Sequence, residues 1–294
     1  MPVHDAHCHF FSARFFELLA QQMPDPPANP AQALPERLGW EAPGSPEELA
    51  DRWRAELDRH GVGRAALIAS APTDEDSVAA AVLRHPQRFV GFFMLDPTSG
   101  GAEDRARRAF RLGLRAVCLF PAMHRYAITS DAAMKVFEIA AAQPGAAVFV
   151  HCGVLSVGVR KKLGLASRFE IRYGNPLDLH GPALAFPHLP IIVPHFGAGL
   201  FREALMLADL CPNVLLDTSS SNSWIRYHPG LTLESVFRQA LEVAGADRLL
   251  FGTDSSFFPR GWHNTVYEAQ AALLEGEARE RVMWRNFERT FPAV

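Results

Sequence analysis

The sequence predicts a (β/α)8 TIM barrel. Three observations carry the prediction: eight short β-rich runs recur along the 294 residues, segments of helical period separate them, and most of the runs are apolar on both faces. Strands buried between a core and a helical layer read this way in parallel sheets. Eight of them alternating with helices close most simply into a barrel. An open doubly wound sheet is the alternative, but no GxGxxG or other phosphate-cradling loop follows the first run.

The first run, "PVHDAHCHF", opens the chain. A long connection over residues 10–44, rich in proline ("MPDPPANPAQALP"), is expected to arch over the barrel mouth after a short helix. In "SPEELADRWRAELDRHG", Ser45 serves as N-cap, Pro46 as first helical residue and Glu48 as capping-box partner, and Gly61 ends the helix. Strand-like "RAALIAS", "RFVGFFMLDP", "GLRAVCLFP" and "AAVFVHCG" then alternate with helix-like "DSVAAAVLRH", "AEDRARRAFRLG" and "DAAMKVFEIAAAQPG". A second excursion, residues 153–187, holds "VRKKLGLASRFEIRYGNPLDLHG". The strands "LPIIVPHFGAG", "NVLLDTSSS" and "RLLFGTDSS" follow, separated by the helices "REALMLADL" and "LESVFRQALEVAG", before "TVYEAQAALLEG" and a last helix in "EARERVMWRNFERTF". No linker divides the chain, so one domain over residues 1–294 is expected.

Composition narrows the function classes. A hydrophobic content of 48% with 21% charged residues is ordinary for a soluble globular protein. The net charge of -3, with both signs interspersed, offers no basic stripe for nucleic acid. No run reaches the roughly 18 to 20 apolar residues that span a bilayer and no secretory leader is visible, so no membrane association and a cytoplasmic location are expected. Cys8, Cys118, Cys152 and Cys211 form no CxxC pair, which argues against a disulfide framework or a zinc ribbon.

Chemistry concentrates at the ends of the runs. Residues two apart on a strand share a face, so His7 and His9 project together while Cys8 points the other way. His151 ends "AAVFV", His195 ends "LPIIVP" and Asp254 ends "RLLFGT". Singly, each has a structural explanation, as a loop-bonded histidine or a turn-capping aspartate. Together, five such residues at the carboxyl ends of predicted strands would meet at one barrel mouth, where catalytic groups sit. Histidines with a carboxylate suit Zn2+, with Mn2+ or Fe2+ as alternatives, and an open position for water would make such a site catalytic.

These residues resemble the amidohydrolase superfamily, and more narrowly the amidohydrolase-related (amidohydrolase 2) group that includes aminocarboxymuconate-semialdehyde decarboxylase. The resemblance runs through "DAHCHF", "VHCG", "PHFGAG" and "GTDSSF" to "NFERTF", nearly the whole chain. It implies that His7, His9, His151 and Asp254 bind one divalent metal, that His195 stands just outside as general base or electrophile, and that Asp254 also shuttles a proton. In a binuclear member His195 would instead ligate a second metal. Related binuclear proteins carry a carboxylated lysine on the fourth strand, and Cys118 at that place favours a mononuclear site.

The loops after the strands are expected to hold the substrate. Arg125 in "MHRY" and Arg160 in "VRKK" are candidates to orient a substrate carboxylate, since guanidinium matches carboxylate geometry. Lys161 and Lys162 read as a solvated charge run. Trp224, with Phe257, Phe258 and Trp262, would line a partly apolar pocket or close the barrel top. The resemblance thus implies a metal-dependent hydrolase of an amide, ester or lactone in a small carboxylated or cyclic molecule. A nonoxidative decarboxylase of an aromatic or muconate-like acid is the alternative, and a metal-free lactonase or silent binding protein a further one. Barrels of this group often pair as homodimers; the C-terminal segment would serve that contact or pack on its own barrel.

Overall fold

In the computed structural model, which describes residues 2–293, eight parallel strands form one sheet in sequence order. They are β1 (Val3–Phe10), β2 (Val62–Ala69), β3 (Phe89–Leu95), β4 (Ala116–Leu119), β5 (Ala147–Val150), β6 (Ile191–Val193), β7 (Val214–Asp217) and β8 (Leu249–Leu250). β1 and β8 close the barrel through Ala6 N–H to Phe251 O (2.8 Å), Asp254 N–H to His7 O (2.9 Å) and His9 N–H to Ser255 O (2.6 Å). The expected TIM barrel is therefore the fold.

Side-chain alternation divides the core into two layers. On β2 and β3, Ala66, Ile68, Val90, Phe92 and Met94 fill the barrel interior, whereas Ala65, Leu67, Phe89 and Phe93 face the helices. β1 breaks this rule once. Ala6 lies in the inner layer and Cys8, two residues on, in the outer one. Asp5 pairs with Ala65 and Cys8 with Leu67, so β1 carries one extra residue at a bulge between them. The strand switches face there, and His7 and His9 point inward beyond a point where Ala6 already does.

The helices begin where the sequence signals them. Helix α1 (Ala13–Ala20) is capped by Ser12, and α2 (Pro30–Arg37) adds a second helix to the first long connection. Helix α3 (Pro46–Arg59) shows the full Ser45/Glu48 capping box. α4 (Glu75–Arg84), α5 (Ala102–Arg111), the short α6 (Pro121–His124), α7 (Asp131–Ala141), α8 (Gly158–Lys162), α9 (His180–Ala185), α10 (Phe201–Leu210), α11 (Leu233–Val243) and α12 (Asn264–Ala271) follow. At the chain end, α13 (Gly276–Glu280), a π turn (Arg281–Arg285) and α14 (Asn286–Thr290) succeed one another. Phe287 and Phe291 reach the inner layer, so this segment packs on its own barrel and plugs the amino-terminal end.

Candidate active site at the barrel mouth

The loops after the strands surround a cavity of about 1130 Å3, lined by His7, His9, His151, His195 and Asp254 at its floor. The five residues singled out from the sequence are thus brought together. The rings of His7 and His9 lie 5.1 Å apart, those of His7 and His195 5.0 Å, and those of His151 and His195 5.3 Å. His7, His195 and Asp254 offer donor atoms that all lie within 4.8 Å of one another, close enough to hold a metal ion.

Hydrogen bonds behind the rings fix their protons. His7 Nδ1–H donates to Asp217 Oδ2 at 2.7 Å, since a carboxylate only accepts. Ser70 Oγ–H is donated to Ile68 O (3.0 Å), so this oxygen accepts the Nδ1–H of His9 at 2.8 Å. Both Nε2 atoms then carry lone pairs, and both face Asp254 Oδ1, at 3.5 Å from His7 and 3.0 Å from His9. Three acceptors converging on one point repel unless a positive charge, a metal ion or a proton on one ring, sits among them. His151 adds a buried Nδ1 that has no hydrogen-bond partner among the described residues. This donor set fits a divalent cation.

Burial and charge set the electrostatics. Burial alone would lower the His7 pKa, but the Asp217 carboxylate outweighs it and raises it. Burial, reinforced by the neighbouring imidazoles, drives His151 well below its ordinary value, and burial also lowers His195. For Asp254, burial pushes upward, yet the contact with His9 and the charges of His7 and His195 hold the carboxyl well below the usual carboxylate range. His195 Nδ1 lies 2.9 Å from Ser219 Oγ and 3.3 Å from Ser219 O; the carbonyl can only accept, so Nδ1 carries the hydrogen and Nε2 is an acceptor. Burial keeps the Cys118 thiol protonated, and it sits in the inner packing layer rather than on the cavity wall.

Backbone strain supports this arrangement. His195, Phe196 and Ala198 all have positive φ (56°, 52° and 43°), as does Asp254 (61°). Gly153, with φ 70°, lets the two histidine-bearing loops meet: a Cβ there would strike the carbonyls of Gly197 and Ala198, while Val154 N–H donates to Ala198 O at 2.8 Å.

The expected substrate residues divide. Arg125, Arg160 and Trp224 do line the cavity. Arg125, however, gives Nε–H and Nη2–H to Arg168 O (3.1 and 2.6 Å), and Arg160 gives its guanidinium to Gln22 Oε1 and Ala166 O (both 2.6 Å). The Trp224 indole N–H donates to Asn222 Oδ1 at 3.0 Å. Phe258 reaches the cavity, whereas Phe257 packs on Trp53 and the Trp262 indole N–H binds Asp5. Lys162 lines the wall over the Trp40 ring, and so is more than part of a solvated run. Sequence reasoning gives no role to Asp217, Ser70 or Asp5, and places Ser219 only within "DTSSSNSW", a run whose hydroxyls are expected to line the pocket. Asp217 ends "VLLD" on β7, so the strand-end criterion that found Asp254 would have found it.

A TIM barrel with histidines and a carboxylate gathered at its carboxyl end has the arrangement of a barrel enzyme, with side chains that could hold a metal ion at the place where catalytic groups sit. Residues 4–293 match the amidohydrolase family, and the chain belongs to its amidohydrolase 2 group. The protein fluG of Emericella nidulans is 33% identical over 85 residues, an overlap of 29% of this chain and only 10% of that protein. Two solved structures share the fold. A probable 2-pyrone-4,6-dicarboxylic acid hydrolase from Acinetobacter baumannii with citric acid bound aligns over 99% of each chain with 13% identity and a TM-score of 0.68. An amidohydrolase from Burkholderia multivorans with bound zinc aligns over 100% of each chain, with 14% identity and a TM-score of 0.62. Among the described residues no helix is long and apolar enough to cross a membrane.

Proposed function

We propose that the protein is a metal-dependent hydrolase that cleaves an amide, ester or lactone bond of a small carboxylated or cyclic substrate, with His7, His9, His151 and Asp254 holding one divalent ion, zinc before manganese or iron. The observation that carries this reading is the convergence of His7 and His9 Nε2 on the Asp254 carboxylate, at 3.5 and 3.0 Å, with the Nδ1 side of each ring already committed to Asp217 and Ser70. A divalent ion held by these residues would supply Lewis-acid polarisation of the scissile carbonyl and would lower the pKa of water toward about 7.

The chain's own residues perform the proton transfers. Asp254, held ionised by its imidazole neighbours, takes a proton from the attacking water and returns it to the leaving nitrogen or oxygen. His195 presents an unprotonated Nε2, fixed through Ser219, as the second acceptor for that proton. Phe11, Phe15, Trp40 and Phe258 belong to the apolar part of the wall and limit water around the reacting bond.

The test pairs elemental analysis with a panel of carboxylated lactones, esters and N-acyl compounds assayed with zinc or manganese. Turnover that consumes water and is lost in Asp254→Asn supports the reading. Release of CO2 without water uptake overturns it in favour of decarboxylation, and failure to take up any metal removes the metal from the reaction. His195→Ala is expected to abolish turnover while most bound metal remains; loss of metal there makes His195 a ligand instead.

A further inference from the structure

The cavity wall carries six cationic side chains, Arg125, Arg160, Lys162, Arg168, Arg226 and Arg260, against one carboxylate, Asp254. That imbalance stands out in a chain whose net charge is -3. Lys162 lies over the Trp40 ring, and the five guanidiniums fall into two kinds. Arg125 and Arg160 are spent on backbone: Arg125 grips Arg168 O with two donors, Glu170 N–H binds Ala122 O at 2.8 Å alongside, and Arg160 grips Ala166 O. Arg168, Arg226 and Arg260 have no carboxylate partner among the described residues; Arg226 touches only the neighbouring Tyr227, by its hydroxyl at 3.1 Å and its ring.

The three free guanidiniums come from three different loops, those after β5, β7 and β8, and all are exposed at the rim. We propose that Arg168, Arg226 and Arg260 form an anion subsite above the reaction centre, for a substrate with at least two carboxylates, and that Arg125 and Arg160 are positioning residues that hold the 166–168 strap so that Arg168 faces the cavity. The inference deepens the hydrolase reading and rests on it for one point, that the reacting group lies at the histidine floor. One carboxylate near the floor leaves the second to be met at the rim, where free guanidiniums bind in a bidentate manner. The same uncompensated charge draws anions toward the mouth.

The subsite is tested without catalysis. Binding of benzene-1,3-dicarboxylate, benzoate and benzamide to the purified protein is measured by calorimetry at low and high salt. The dicarboxylate is expected to bind roughly tenfold more tightly than benzoate, the scale of one charge-assisted contact. Arg226→Ala/Arg260→Ala should erase that advantage, leave benzoate unchanged and flatten the salt dependence; both residues are exposed, so the fold tolerates the change. Arg125→Ala should weaken the dicarboxylate several-fold while the salt dependence keeps most of its slope, because the charges that meet the ligand remain. A dicarboxylate that binds no better than benzoate, or an advantage that survives the double variant, overturns the subsite. None of these probes has a bond to hydrolyse, so failure of the hydrolase reading would leave this result standing, and turnover of neutral lactones without a dicarboxylate preference would overturn the subsite alone.

Discussion

The two ends of the barrel use the same residue type on the same strand to opposite effect. At the amino-terminal end, His4 Nε2 meets Glu288 Oε1 at 2.9 Å, Glu288 Oε2 accepts from Arg64 at 3.0 Å, and Arg64 also donates to Phe291 O at 2.7 Å. Each charge there has its complement, and the rings of Phe287 and Phe291 seal the interior. At the carboxyl end, His7 and His9 present lone pairs to a carboxylate. Among the described residues, the nine non-glycine residues of positive φ, from Thr73 to Phe257, all lie in loops on this side. A histidine at the base closes a network. The same side chain at the mouth leaves one open, and the unmet acceptors mark where function resides.

The sharpest way to break this contrast is to remove the open acceptors. A His7→Ala/His9→Ala variant is expected to lose bound metal entirely and all turnover with it, and its metal-free fold is expected to be less stable than the metal-free parent because the buried Asp217 carboxylate loses its His7 partner. Elemental analysis beside calorimetry checks both. Asp217→Asn, which removes the carboxylate behind His7, should weaken metal binding by about 10–100-fold, the usual cost of losing such a partner. Retention of full metal in the double variant would reduce the mouth histidines to structural groups like His4.

Asp5 joins the two regimes. Its carboxylate accepts the His7 N–H at 2.9 Å, a donor that the β1 bulge removes from the ladder, and also Thr253 N–H, Thr253 Oγ1–H and the Trp262 indole. It therefore holds the bulge that turns His7 inward and the residue next to Asp254. Asp5→Ala strands several buried donors and is expected to cost about 4 kcal/mol of stability and to lower metal affinity as well. Phe291→Ala opens the base instead and should cost about 3 kcal/mol, with metal affinity unchanged. Denaturant unfolding and metal titration of the two variants separate a residue that serves both ends from one that serves only the base.

Much of this was legible in the chain. Eight runs, the Ser45 cap and the five strand-end candidates follow from periodicity and residue type, because buried parallel strands leave an unbroken apolar record. The bulge does not: strict alternation along "HDAHCH" places Ala6 and His7 on opposite faces, and only the pairing with β2 shows the extra residue. The roles of Arg125 and Arg160 were hidden for a related reason. A free and a committed guanidinium look alike in sequence, and only the carbonyls of Ala166 and Arg168 tell them apart.

The smallest expected effect tests the base alone. Burial, the dominant influence, lowers the pKa of His4 despite the nearby Glu288 carboxylate, which acts in the other direction. The folded state therefore resists protonation more than the unfolded chain does, whose histidine titrates near 6.5. The sign follows: the His4 contribution to stability is complete above about pH 6.5 and declines as the pH falls through that value toward the lower folded pKa. His4→Gln should flatten the pH dependence of stability across this window while leaving metal binding at the mouth untouched. An unchanged slope in the variant would mean that another buried group sets it, and that His4 is held in a charged pair with Glu288, which would bring the base closer in character to the mouth.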